Sequence, residues 1–382
     1  YMALTQIPNC RRESEHSSDP YQISKMVKSN TDTNMSKPST YMSTKRIIWI
    51  DIVKGCLLVF ICCSHFGALP QSIALLTKPT ATYWVPLFFF LSGYLFHGNN
   101  NFSEYIQKKV RTLLLPYIAF SLIFIIIDWN TYISSVPQIK ANLYSIFVAG
   151  TGSEKAPPLW FVIVLYIASI FSFPIINFAK TLKSKIITIF LLSIGAYIMS
   201  ERDIKLPLML HVLPSAIIYI CIGQYVKAFT DMSSRKPSTY ITTATLALTV
   251  GLIGLFFINL GDFHLNKINS YPLFYLCPIS LGIFLVLMLS KYESNIATFN
   301  YLKPLTWVAQ NGVIILATHC YLIFIYNTIS NTLNINNIVI NFILKFSFVF
   351  IILFTLIIPF CNRYLYWILG NKPKRWFDNY KQ

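Results

Sequence analysis

The sequence predicts an all-α, polytopic membrane protein with about ten transmembrane helices and both termini cytoplasmic. Three observations predict it. Of 382 residues, 55% are apolar and only 12% are charged, about half the charge a soluble domain carries. The apolar residues are blocked into runs of about 20, the length that spans a bilayer. With the N-terminus inside, the cytoplasmic segments hold 23 Lys and Arg and the outer loops hold 6, the bias that orients membrane proteins. These observations exclude a soluble globular fold, a secreted disulfide scaffold, a disordered chain and a nucleic-acid-binding module. The net charge of +17 belongs to the loops between apolar runs, so no nucleic acid is expected as a partner. The expected location is the cell (inner or plasma) membrane, multi-pass, with lipids as the surrounding partner.

Residues 1–44 are rich in Ser, Thr, Asn, Pro and Lys and hold no apolar stretch long enough for a signal peptide. They read as a disordered cytoplasmic leader or, favoured by composition, an over-extended start ahead of Met35 or Met42. A membrane domain follows over 45–365. Its first core, 47–66, leaves the cytoplasm after Lys45 and Arg46. The second, 83–97, is short and returns inward. The third, 112–128, leaves again after Lys108, Lys109 and Arg111. A half-helix over 138–149 is expected on the outer face. The cores 158–178 and 185–200 are joined by an inner loop with three lysines, and 206–226 follows an outer loop containing Arg202 and Lys205. The cores 240–260, 270–290, 305–328 and 336–361 complete the set, and a basic tail over 366–382 ends inside. Pro116, Pro174, Pro214 and Pro278 fall within cores, tolerable where neighbouring helices satisfy the freed carbonyls. No internal repeat is evident. The eight cysteines show no CxxC pairing and no metal spacing, so free buried thiols and no metal are expected.

Ionisable groups at membrane depth cost about 2.5–3.5 kcal/mol each on insertion scales and therefore require a reason. The first helix holds Asp51, Lys54 and His65. At about 100° per residue, Lys54 and His65 fall within about 20° of one face, and Asp51 within about 60° of both. Asp51 and Lys54 either neutralise each other or, with His65, form a polar stripe lining a buried functional channel. Three such groups on one face favour the channel. Lys54 and His65 stand roughly 16 Å apart along the axis, with His65 toward the outer end. His319 lies at similar depth in the ninth helix, which Gln310, Asn311 and Thr318 make unusually polar. Cys320 adjoins it, but neighbouring helical residues point about 100° apart, which argues against a Cys–His pair. Lys345 is expected to snorkel or to form a structural ion pair. Lys108, Lys109 and Arg111 read either as a positive-inside anchor or as a phosphate site for an anionic cytoplasmic cosubstrate, with Arg111 best placed. Tyr83, Trp84, Asp128, Trp160 and Phe161 border the level of the two histidines, where aromatics form an interfacial belt or stack on sugar rings.

These motifs together resemble the acyltransferase-3 family of integral membrane O-acyltransferases. The resemblance rests on Arg46, Asp51, Lys54, Gly55 and His65, then Pro86-Leu-Phe-Phe-Phe-Leu-Ser92-Gly93-Tyr94-Leu-Phe96. Arg111 with Leu-Leu-Leu-Pro116-Tyr117, Leu159-Trp160-Phe161, and Asn311-Gly312 up to His319 follow in order. It covers about residues 44–365. It implies ten helices and transfer of an acyl group, most often acetyl, from acyl-CoA to a hydroxyl of a cell-surface or lipid-linked carbohydrate. Acetyl-CoA would be a cosubstrate, with no bound cofactor. By position, His65 is the family's first-helix histidine, and Lys54 stands where much of the family has arginine, which aligns this chain with the sugar-acetylating, lysine-bearing branch. With no domain after the tenth helix, the fused peptidoglycan-modifying type is not expected.

Transfer from a thioester needs a base for the hydroxyl and stabilisation of the oxyanion. The expected catalytic set is His65 as base, His319 as a second polar or catalytic group, and Lys54 with Asp51 as electrostatic support. Arg111, Lys108 and Lys109 would bind the CoA phosphates, and Trp160, Asp128 and Asn311 the carbohydrate acceptor. No acyl-enzyme nucleophile stands out. Two other readings are a glycan or lipid transporter or flippase, with charges along a translocation path, and a membrane sensor or scaffold.

Overall fold

In hydrocarbon a chain must satisfy its backbone N–H and C=O groups internally, so apolar runs of this length fold as helices. The computed structural model describes residues 46–80, 82–96, 101–127, 136–231, 237–257, 259–291, 296, 300–333, 335 and 337–370. The expected tail over 1–44, Asp128 and most of the basic tail (371–382) lie outside the described residues.

The helices are α1 (Ile48–Ser64), α2 (Gln71–Thr77), α3 (Trp84–Tyr94), α4 (Phe102–Ile127), α5 (Val136–Tyr144), α6 (Leu159–Phe178) and α7 (Leu182–Glu201). They continue with α8 (Leu213–Asp231), α9 (Pro237–Phe257), α10 (Leu273–Lys291), α11 (Lys303–Gln310), α12 (Gly312–Thr332) and α13 (Ile338–Tyr364). A short antiparallel hairpin, β1 (Gly261–Asp262) with β2 (Lys267–Ile268), joins α9 to α10. Helix occupies each of the expected cores. Among the described residues, seven helices are long and apolar enough to cross a membrane: α4, α6, α7, α8 with the turn before it, α10, α12 and α13. The half-helix expected at 138–149 is α5 with a π turn at Ser145–Ala149.

Proline explains two irregularities. Pro116 and Pro359 cannot donate to the carbonyl four residues back. Immediately before each, the chain widens into a π turn, Val110–Leu114 and Leu353–Ile357, closed by Leu115 N–H on the Val110 carbonyl and Ile358 N–H on that of Leu353. A third departure corrects the sequence reading: the core expected over 305–328 is broken. At Asn311 (φ −107°, ψ 19°) α11 ends and α12 begins. The Asn311 amide donates to the Trp307 carbonyl at 2.8 Å and accepts from Asn362 Nδ2 at 2.8 Å. A short polar side chain that bonds its own backbone competes with the helix ladder.

At 11 residues, α3 is shorter than the seven long apolar helices, yet it is buried along nearly its whole length. A helix apolar on all sides belongs inside a bundle, and α3 sits against α1, α6, α8 and α10. Trp49 meets Tyr94 edge-on at 5.6 Å, and Phe88 and Phe89 meet Phe161 at 5.5 and 5.1 Å. Lipid is as apolar as leucine, so close packing rather than water exclusion holds such helices together. Gly93 and Gly223 make it possible: a Cβ on the first would strike the Ile220 carbonyl, and on the second that of Phe90. At the periphery, α7 leaves Ile186, Phe190, Leu191 and Ile198 exposed.

Candidate active site

On α1, Lys54, Leu58, Ile61 and His65 are spaced four, three and four residues apart, which sets them on one helical face. That face lines two cavities. Lys54 and Leu58 border one of about 290 Å³, and Ile61, Ser64 and His65 border another of about 540 Å³. Phe161 of α6 and Leu316 of α12 line both. The two cavities therefore follow one another along α1, with these two apolar side chains between them. Asp51 is half-buried one turn before Lys54, and its charge acts on the lysine.

The larger cavity has His65 in its lining. His65 caps the C-terminus of α1, its N–H on the Cys62 carbonyl at 3.1 Å, and its side chain is exposed to the cavity. Behind it His319 is fully buried, with ring centroids 5.4 Å apart. His319 Nδ1 donates to the Ile315 carbonyl at 2.6 Å, which leaves Nε2 as the free nitrogen. Against the helical-angle argument, Cys320 Sγ lies 3.4 Å from that Nε2. Both side chains bend toward the space between α12 and α1. The ligand atoms of His65, His319 and Cys320 all lie within 4.8 Å of one another.

Among the described residues Lys345 forms no ion pair, and it does not snorkel. Buried on α13, it donates to the Phe66 carbonyl at 2.7 Å and lies 5.5 Å from the Tyr326 ring. A cation at a helix C-terminus is electrostatically favourable. Here it braces the end of α1 that carries His65.

The opposite wall comes from α6 and the β1–β2 hairpin. Phe263, 1% exposed, plugs into the bundle against Phe89 at 5.2 Å and Tyr219 at 5.9 Å. Gly261, at φ +126° with a Cβ that would strike the Lys267 carbonyl, permits the tight hairpin. The plug delivers His264 to 4.6 Å from the Trp160 ring and sets Asp262 in the cavity lining. Burial against Trp160 lowers the His264 pKa below the usual 6.5 more than the carboxylate of Asp262 raises it, with Lys205 adding to the lowering. Glu154, Ser153 and Lys78 add polar groups to the rim.

Toward the other end, Thr112 and Leu113 of α4 line the smaller cavity with Gln310, Asn311 and Asn362. Of the three cations before them, Lys109 is the one whose charge reaches Lys54; its ammonium also lies 5.3 Å from the Tyr105 ring. Lys108 and Arg111 are exposed, and Arg111 is outside the cavity lining. The structure thus brings His65 and Trp160 to one cavity, with His319 buried behind His65, and places Lys54 and Asn311 at the other, with Asn311's amide engaged in the helix break. Asp128 lies outside the described residues. Sequence reasoning missed His264 and Asp262. Their signal was an acid and a histidine in a short segment between Gly261 and Asn266.

A family model described as an acyltransferase domain, of the acyltransferase-3 type, matches residues 47–362. No curated protein and no solved structure matches the chain.

Proposed function

The chain belongs to the acyltransferase-3 family, and from that premise we propose that it transfers an acetyl group from acetyl-CoA to a hydroxyl of a cell-surface or lipid-linked carbohydrate. The observation that carries this reading is the pair of cavities along α1, with Lys54 in one, His65 in the other and only Phe161 and Leu316 shared between them. The seven long apolar helices support a multi-pass membrane protein. We read α1, α3 and α9 as further spans, giving ten with both termini cytoplasmic, as the 23-to-6 distribution of Lys and Arg favours.

In this orientation the Lys54 cavity opens to the cytoplasm, where Lys108, Lys109 and Arg111 meet the phosphates of CoA. The pantetheine arm runs past Lys54, whose charge Asp51 balances, and its thioester reaches the gap at Phe161 and Leu316. The acceptor occupies the larger cavity, whose volume is within the usual range of about 300–1,000 Å³ for small-molecule sites. Trp160 offers a face on which a sugar ring stacks. His65 takes the hydroxyl proton as the oxygen attacks the thioester carbonyl, and the collapsing intermediate expels the CoA thiolate, which recovers a proton. His319 stands behind His65 and orients it. The test is release of free CoA thiol by purified protein in lipid nanodiscs given acetyl-CoA and a panel of glycan acceptors. Acceptor-dependent thiol release with acetylated product is expected. Absence of both across the panel would overturn the reading.

A further inference from the structure

His65, His319 and Cys320 present two imidazole nitrogens and one thiol sulfur within 4.8 Å of one another, and the hydroxyl transfer does not use the sulfur. We propose that this cluster is a zinc site whose occupation switches the enzyme off. Imidazole and thiolate are the donors Zn²⁺ favours. With bonds of about 2.0–2.1 Å to nitrogen and 2.3 Å to sulfur, tetrahedral coordination puts neighbouring donor atoms about 3.3–3.6 Å apart. The pair from adjacent positions on α12, Cys320 Sγ and His319 Nε2, already stands at 3.4 Å. The Nδ1 bond of His319 to the Ile315 carbonyl supplies the outer-shell partner that fixes a ligating imidazole with its other nitrogen free. His65 is the mobile member: it faces the cavity and closes the remaining distance by a side-chain rotation. The fourth position then opens on that same cavity. A metal there engages the lone pairs of both histidines and the thiolate of Cys320, whose proton is released, so the base has nothing left to accept a proton from the acceptor.

This inference rests in part on His65 being the base, so binding and inhibition are read separately. Purified full-length protein in nanodiscs is titrated with Co²⁺ as a spectroscopic substitute for Zn²⁺, and its thiolate-to-cobalt charge-transfer absorption is followed. One equivalent should develop the band and Zn²⁺ should bleach it. Cys320→Ser should abolish it, while Cys361→Ser, at the opposite end of the bundle, should keep it. In the thiol-release assay Zn²⁺ should inhibit reversibly with chelator, and Cys320→Ser should raise the inhibitory concentration at least about 100-fold while leaving metal-free turnover unchanged. No band in the wild type, or a band surviving in Cys320→Ser, would overturn the site. A Cys320-dependent band without inhibition would keep the metal site, overturn its role as a switch and count against His65 as base. Absence of turnover in the wild type with the band intact would sink the proposed reaction and leave the metal site standing.

Discussion

Replacing His65 with glutamine removes the imidazole nitrogen that α1 presents to the proposed acceptor cavity while keeping a side chain of similar length that hydrogen-bonds. The structure sets the size of the effect by separating the two histidines. His65 is exposed to a 540 Å³ cavity, whereas His319 is buried with its Nδ1 proton committed to the Ile315 carbonyl. Loss of a positioned general base lowers kcat by about 10²–10⁴, or roughly 2.7–5.5 kcal/mol of barrier. His319→Gln forfeits about one neutral hydrogen bond behind the base, roughly 0.5–1.5 kcal/mol, which is at most about tenfold. The double variant should be no slower than His65→Gln alone, because His319 acts through a residue already gone. Initial rates of acetylated product, normalised to membrane-inserted protein, measure kcat, while acetyl-CoA titration shows whether KM is unchanged. The wild-type rate should fall as falling pH protonates the imidazole that acts as base, and His65→Gln should lose that limb. A His65→Gln enzyme within threefold of wild type, or a His319→Gln enzyme slower than it, would refute the assignment.

Arg111→Ala and Lys109→Ala should each raise the KM for acetyl-CoA about 10-fold or more, since a charge-assisted phosphate contact contributes about 1.5–3 kcal/mol; an unchanged KM in initial-rate titrations would leave that residue an orientation anchor. Lys345→Met should keep protein abundance but lower kcat about tenfold and speed hydrogen exchange at residues 64–67, because the Phe66 carbonyl loses its 2.7 Å donor. Gly93→Ala should push α3 and α8 apart at the Ile220 carbonyl, costing about 1–3 kcal/mol and lowering the unfolding temperature in detergent by roughly 2–4 °C per kcal/mol. Cysteines introduced at Lys140 and Lys227 should label from outside and inside respectively with an impermeant maleimide; labelling of both from one side would overturn the proposed orientation.

Apolar run length and the scarcity of charge were enough to place helix at each expected core, because a chain in hydrocarbon has no alternative to internal backbone bonding. The stripe of Asp51, Lys54 and His65 was equally legible, since one helix's geometry fixes which residues share a face. Side-chain contacts between helices were not legible. Whether Cys320 reaches His319 depends on rotamers chosen by the packing of α12 against α1, so an angle drawn on one isolated helix gave the wrong answer. The break at Asn311 depends on Asn362, 51 residues away, and the destination of Lys345 on a carbonyl 279 residues away. His264 reaches Trp160 only because Phe263 is buried among rings from α3 and α8. The sequence by itself determined which segments enter the membrane and which polar groups enter with them, because partition into lipid is a property of each segment alone. Tertiary structure decided which of those groups meet, and so where the two cavities lie, because that follows from side-chain packing between segments distant in the chain.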